Sequence, residues 1–336
     1  MTAKSDRCCD DPRHVLLDLD VNGDFVDPDT GLPVRPAAVE QYLESRLHVP
    51  ADATDIVVFA HGWRNKPHKA AASGHALSTS LTDAYRQFPH RYPNIDPAWS
   101  GLYVTLRWPS VSSPFLPGYR RIRDRAHDMT TRGHAASTLA HLLGYLDAHR
   151  TRPGGPPTLR TAGGQYLHCV GHSFGGRFLV EAVQAAADGG PPTLGWAYAD
   201  PTYPYAVDTL LVFQMAAPPT ILADQFPRLL TDAPINGPIV LTYSTADRAT
   251  GRWHRLAEGQ PGIGHSGAQS PAEHITTVQL LEMSKSYERA DFKSRIVNVD
   301  ATWKYRHGRW RPEGAHSDIW HPESIHLLLS LADLAR

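Results

Sequence analysis

The stretch QYLHCVGHSFGGRFLVEAV, residues 165–183, decides how the rest of the chain is read. An apolar run rich in strand-forming residues meets GHSFG and then a segment whose apolar residues recur at helical spacing. This is G-x-S-x-G in a strand–turn–helix setting. Such a turn forces its central residue, Ser173, into a strained backbone conformation and projects the hydroxyl, while Gly171 and Gly175 let neighbouring backbone close around it. A glycine-rich turn holding an ordinary serine is the plainer reading. The strand before it and the helix after it favour the nucleophile.

Working outward, similar apolar runs recur as DIVVFA at 55–60, LYVTLRW at 102–108, DTLLVF at 208–213, PIVLTY at 238–243 and RIVNV at 295–299. Most lack polar alternation, so both faces of each strand are expected to be covered, and the intervals suit crossover helices. The fold class that follows is α/β, a mostly parallel central sheet with helices on both faces. Alternation around Asn22-Gly23, from Val15 to Val26, predicts an N-terminal β-hairpin at the sheet edge. Asp18, Asp20, Asn22, Gly23, Asp24 and Asp29 also match the opening of a calcium loop, without convincing flanking helices.

Between these strands, Tyr119, Ile122, Ala126, Met129, Gly133, Ala136, Ala140 and Leu143 are spaced three or four apart, which predicts one amphipathic helix on the sheet. Its opposite face, with Arg120, Arg121, Arg123, Arg125 and Arg132, is expected to be solvated. A last helix is expected from Pro322, with Ile325, Leu328, Leu329 and Leu331 facing inward. Residues 1–13 read as a tail and 14–336 as one domain. The insertion 188–207, with Trp196, Tyr198, Tyr203 and Tyr205, reads as a lid, a pocket wall or a packed loop.

The 336 residues are 41% hydrophobic and 20% charged, enough for a sizeable core. With 33 basic and 34 acidic side chains, net charge −1, nothing general draws the chain to nucleic acid or an acidic membrane. No apolar stretch approaches the roughly 18 residues that cross a bilayer, and the first residues lack the apolar core of a secretion signal. Cys8, Cys9 and Cys169 set no disulfide framework. A cytoplasmic protein acting on a small-molecule acyl substrate is the expectation, with its oligomeric state left open.

At neutral pH a serine hydroxyl is protonated and weakly nucleophilic, so it needs a base that an acid orients. Asp247 follows the strand at 239–243 and sits beyond its C-terminal end, where open α/β sheets build their sites. Asp224 and Asp300 are substitutes, and a helix N-cap is the plainer role for Asp247. His316 completes the order Ser, Asp, His along the chain, ahead of His265, His321 and His326. A tetrahedral intermediate needs donors for its oxygen: the N–H groups of Phe174 and of Trp63 in His61-Gly62-Trp63 are the candidates. His61, Gly62 and His172 are expected to border the substrate.

FAHGW at 59–63, GHSFG at 171–175, YSTAD at 243–247 and GAHSD at 314–318 together resemble the α/β-hydrolase superfamily. With RWPS at 107–110, the chain is similar to an esterase-like branch of serine hydrolases, from about residue 55 to its end. The resemblance implies that Ser173 attacks an acyl carbonyl, His316 carries the proton, Asp247 orients the imidazole, and Trp63 and Phe174 hold the oxyanion, with no cofactor or metal. Ester cleavage is the implied reaction, with amide or thioester cleavage behind it. An acyltransferase and a non-catalytic binding protein are the alternatives, because a fold does not choose its chemistry. GIGHSG at 262–267 follows Pro261 and polar residues rather than a strand, so it is set aside as a dinucleotide motif. His265, His274, His316, His321 and His326 have no compact zinc spacing.

Overall fold

The computed structural model describes residues 12–96, 98–150, 164–188, 206–308 and 311–336. Of the expected tail and insertion, residues 1–11 and 189–205 lie outside these described residues. Among the described residues nine strands form one sheet: β1 (His14–Leu19), β2 (Phe25–Val26), β3 (Asp55–Ala60), β4 (Gly101–Arg107), β5 (Tyr166–His172), β6 (Thr209–Phe213), β7 (Ile239–Tyr243), β8 (Ile275–Gln279) and β9 (Ile296–Asp300). Their order is β2-β1-β4-β3-β5-β6-β7-β9-β8. β1 pairs antiparallel with β2, and every other pairing is parallel.

The continuous apolar runs are the central strands. β3, β5 and β6 are buried at every position. Side chains alternate across a strand, and here each face meets its own core. Ile56 and Val58 of β3, with Leu210 and Val212 of β6, join one cluster; Val57 and Phe59, with Leu211 and Phe213, join the other. The first cluster is completed by helices α1 (Val39–Arg46), α3 (Leu116–Thr131), α4 (Ala135–His149) and α5 (Phe174–Asp188), the second by α2 (Pro67–Gln87) and α9 (Pro322–Leu334). Three short helices, α6 (Ile221–Asp224), α7 (His254–Glu258) and α8 (Ile263–Ser266), lie between β6 and β8 along the chain. Among the described residues, no helix is long and apolar enough to cross a membrane.

The winding places the site. α2 leads from β3 to β4 on one side, and α5 leads from β5 to β6 on the other, although β3 and β5 are neighbours. The direction of winding therefore reverses between β3 and β5, which leaves a crevice at their C-terminal ends.

Two expectations need correction. The stripe from Tyr119 to Leu143 is not one helix but two, α3 and α4. The break falls where the turn after β1 docks: a Cβ on Gly133 would stand 2.2 Å from the Asn22 carbonyl oxygen, and His134 N–H donates to that oxygen at 2.7 Å. The arginine face is only partly solvated. Arg120 and Arg123 donate to carbonyls of Leu256 and Ala257 in α7, and Arg125 to that of Pro109.

The acidic residues near the edge turn are engaged by the protein. Asp18 takes two bonds from Arg107 at 2.6 Å, Asp20 accepts the N–H groups of Asn22 and Asp24, and Asp29 pairs with Arg46.

Candidate active site

Register brings the loops after β3 and β5 together, since Ala60 lies opposite Gly171. Ser173 follows β5 with φ +57°, a left-handed conformation that costs a non-glycine residue about 1–3 kcal/mol. Its neighbours leave it no room to relax. A Cβ on Gly171 would stand 2.2 Å from Gly176 Cα, one on Gly175 2.3 Å from the His61 carbonyl oxygen, and one on Gly62 2.4 Å from His172 Nδ1. Ser173 N–H donates to the Phe213 carbonyl at 2.9 Å, which fastens the turn to β6.

Ser173 Oγ lies 2.8 Å from His316 Nε2, and His316 Nδ1 lies 2.8 Å from Asp247 Oδ2. An ionised carboxylate only accepts, so Nδ1 carries the imidazole proton and Nε2 is left to accept the serine hydroxyl. The second Asp247 oxygen accepts Thr250 N–H at 3.0 Å. One oxygen thus does what an N-cap does while the other holds the imidazole. Ser173 and Asp247 have no exposed surface and His316 is 2% exposed.

The loops carrying Asp247 and His316 are stitched into one piece. Asp247 bridges Gly314, Ala315 N–H donates to the Ala246 carbonyl, and Arg248 N–H to that of Glu313. Gly314 sits at φ +65°, where a Cβ would meet the Ala246 carbonyl oxygen at 2.5 Å. From the nucleophile side, His172 Nε2–H donates to the His316 carbonyl at 2.7 Å. The loop after β3 is locked in turn to the RWPS segment. His61 Nδ1–H donates to the Gly62 carbonyl and its Nε2 accepts Trp108 N–H, while Trp108 Nε1–H donates to the His61 carbonyl at 2.7 Å. Asn65 Nδ2 donates to the Gly62 carbonyl, and Arg64 N–H to that of Ser110.

Of the residues singled out in the sequence, Ser173, Asp247, His316, His172 and Gly62 come together here. Phe174 opens α5, and Trp63 is buried in the facing loop. Both ring nitrogens of His61 are taken up by protein groups, so its ring holds the loop. The substitutes lie elsewhere: Asp224 accepts the Thr220 hydroxyl, Asp300 the Thr302 N–H, and His326 bonds Tyr92 and the Lys285 carbonyl. His265 Nδ1–H donates to the Asp247 carbonyl rather than to Ser173. His307 and His321 flank Asp318, with possible ligand atoms within 4.8 Å of one another. Sequence reasoning passed over Thr250, Asn65 and Ser110, which have no signal apart from the contacts they make.

Burial holds His61 and His172 neutral, lowering their pKa values from 6.5 to about 4 and about 3, the second helped by the His316 imidazole beside it. The unfolded chain takes up protons at these residues near pH 6.5 and the folded protein does not. Stability from this source is complete above pH 6.5 and is lost as pH falls toward the folded values. Between pH 7 and pH 5 the pair should remove about 4 kcal/mol of unfolding free energy, at most ~1.4 kcal/mol per histidine per pH unit. Urea unfolding at the two pH values measures this. The variant His172→Gln keeps a donor for the His316 carbonyl and should shrink the measured difference by about 2 kcal/mol; an undiminished difference would rule His172 out as one of its sources.

Compared with models of known families, with curated proteins and with solved structures, the chain finds no match.

Proposed function

We propose that the protein is a serine hydrolase of the α/β-hydrolase type, cleaving a carboxylic ester through an acyl-serine intermediate. One observation carries this reading: an unbroken hydrogen-bonded chain from Ser173 through His316 to Asp247, at the point where the sheet reverses its winding. Such a chain is what an unactivated hydroxyl needs in order to attack a carbonyl at neutral pH.

In this mechanism Ser173 Oγ bonds to the acyl carbon as His316 Nε2 takes the hydroxyl proton. The imidazolium that forms is stabilised by Asp247 across Nδ1. The carbonyl oxygen gathers negative charge, for which the Phe174 and Trp63 N–H groups are the donors. Among the described residues neither donates to a protein oxygen. Phe174 also opens the 15-residue helix α5, whose N-terminal dipole favours an anion. The ester C–O bond then breaks as His316 returns its proton to the leaving alcohol, and water repeats the cycle against the acyl-serine.

A second reading draws on one observation. Ser173 has no exposed surface, so an acyl group reaches Oγ only after its cover shifts, and a protein that keeps this arrangement without catalysis would show the same burial. Rapid mixing with p-nitrophenyl butyrate separates the two. Catalysis gives steady release of p-nitrophenol, preceded by a burst of about one per chain and an acylated peptide containing Ser173 when deacylation is the slower step. Folded protein with neither turnover nor acyl-peptide would count for the non-catalytic reading. An added alcohol that captures most of the acyl group at low concentration would make the enzyme an acyltransferase.

A further inference from the structure

Next to His316 the crevice opens into a cavity of about 210 Å³. His172 and His316 form its inner wall; Arg64, Lys69, Arg311 and Glu313 line its outer part. Arg64 and Glu313 pair at 2.8 Å and cancel. Among the described residues, Lys69 and Arg311 are exposed and enter no ion pair, and no second carboxylate lines the cavity. The inner histidines His61 and His172 are neutral, so they neither add to nor offset this charge. Lys69 stands in the first turn of α2, a 21-residue helix with no acidic residue in that turn to offset it. A chain with net charge −1 thus holds, beside His316, two cations with no ion-pair partner among the described residues. The volume lies below the ~300 Å³ lower bound of drug-sized sites, so the part of a substrate that it encloses is short.

We infer that the ester this site takes is short and carries a carboxylate a few atoms from the scissile bond, held by Lys69 and Arg311. This rests on the acyl-serine reading for the position of the reacting carbonyl. The charge sits either on the acyl part or on the leaving alcohol, and two pairs of esters tell these apart. Mono-p-nitrophenyl glutarate against p-nitrophenyl valerate places the carboxylate on the acyl side, and 4-acetoxybenzoate against phenyl acetate places it on the leaving side.

In one of these pairs kcat/KM for the charged ester should exceed that for the neutral one by about tenfold at low salt, as two partly exposed charge contacts allow. That ratio should fall toward one in the double variant Lys69→Ala/Arg311→Ala, and in 0.5 M salt, where such contacts are screened. Ratios at or below one in both pairs, or a ratio the double variant leaves unchanged, would overturn the inference while leaving the hydrolase reading in place. If no ester is turned over, the hydrolase reading fails. The cavity is then read by calorimetry with glutarate: binding confined to the wild type supports the anion site, and absent or equal binding overturns it.

Discussion

Ser173→Ala should lower kcat/KM for p-nitrophenyl butyrate by about 10⁵- to 10⁶-fold, the scale on which removing a serine nucleophile acts when the rest of its relay is intact. The side chain is buried and its hydroxyl bonds His316, so alanine fits the space and removes only the oxygen that attacks in the proposed mechanism. It does not relieve the backbone, which stays at φ +57°. Ser173→Gly should be equally inactive but more stable than Ser173→Ala by about 1 kcal/mol, because glycine enters the left-handed region without the steric cost. Urea unfolding of the two variants measures that difference. An alanine variant that keeps a tenth of the activity would place the attack elsewhere. A glycine variant less stable than the alanine one would mean that the turn is not strained.

The second large effect is expected from Asp247→Asn. Asparagine matches aspartate in shape but has one acceptor and one donor group. Its oxygen can keep the bond from Thr250 N–H, which turns its amide N–H toward His316 Nδ1. That ring nitrogen must then accept, the proton moves to Nε2, and Nε2 can no longer take the Ser173 hydroxyl. A loss of about 10⁴-fold in kcat with KM little changed follows, as for the same exchange in serine proteases. A loss smaller than about tenfold would show that Asp247 does not set the tautomer.

How far the sequence reveals this arrangement depends on how local each signal is. Ser173 is legible because strand, turn glycines and helix are contiguous in 165–183. Asp247 and His316 are legible for a weaker reason: each follows a strand, and the strands are parallel, so their C-terminal ends face one crevice. What locks these loops is not legible. The bond from His172 Nε2 to the His316 carbonyl joins residues 144 apart, and Trp108 reaches His61 from another strand end. Both depend on register, which the sequence does not state.

Periodicity misled where tertiary contact intervened. Spacing ran unbroken through Gly133, yet the edge turn at Asn22 occupies the place a continuous helix would need. β8 carries no clear signal in the sequence, because ITTVQ at the sheet edge is largely polar and half exposed, unlike the buried runs beside it. The covering of Ser173 has no sequence signal at all, and it bears most on whether the relay acts.

The most direct test is to treat the folded wild-type chain with a fluorophosphonate and locate the adduct by peptide mass mapping. The mechanism requires stoichiometric modification at Ser173, absent from Ser173→Ala and much slower in Asp247→Asn. Folded protein that remains unmodified, or one modified at a different residue, would contradict it.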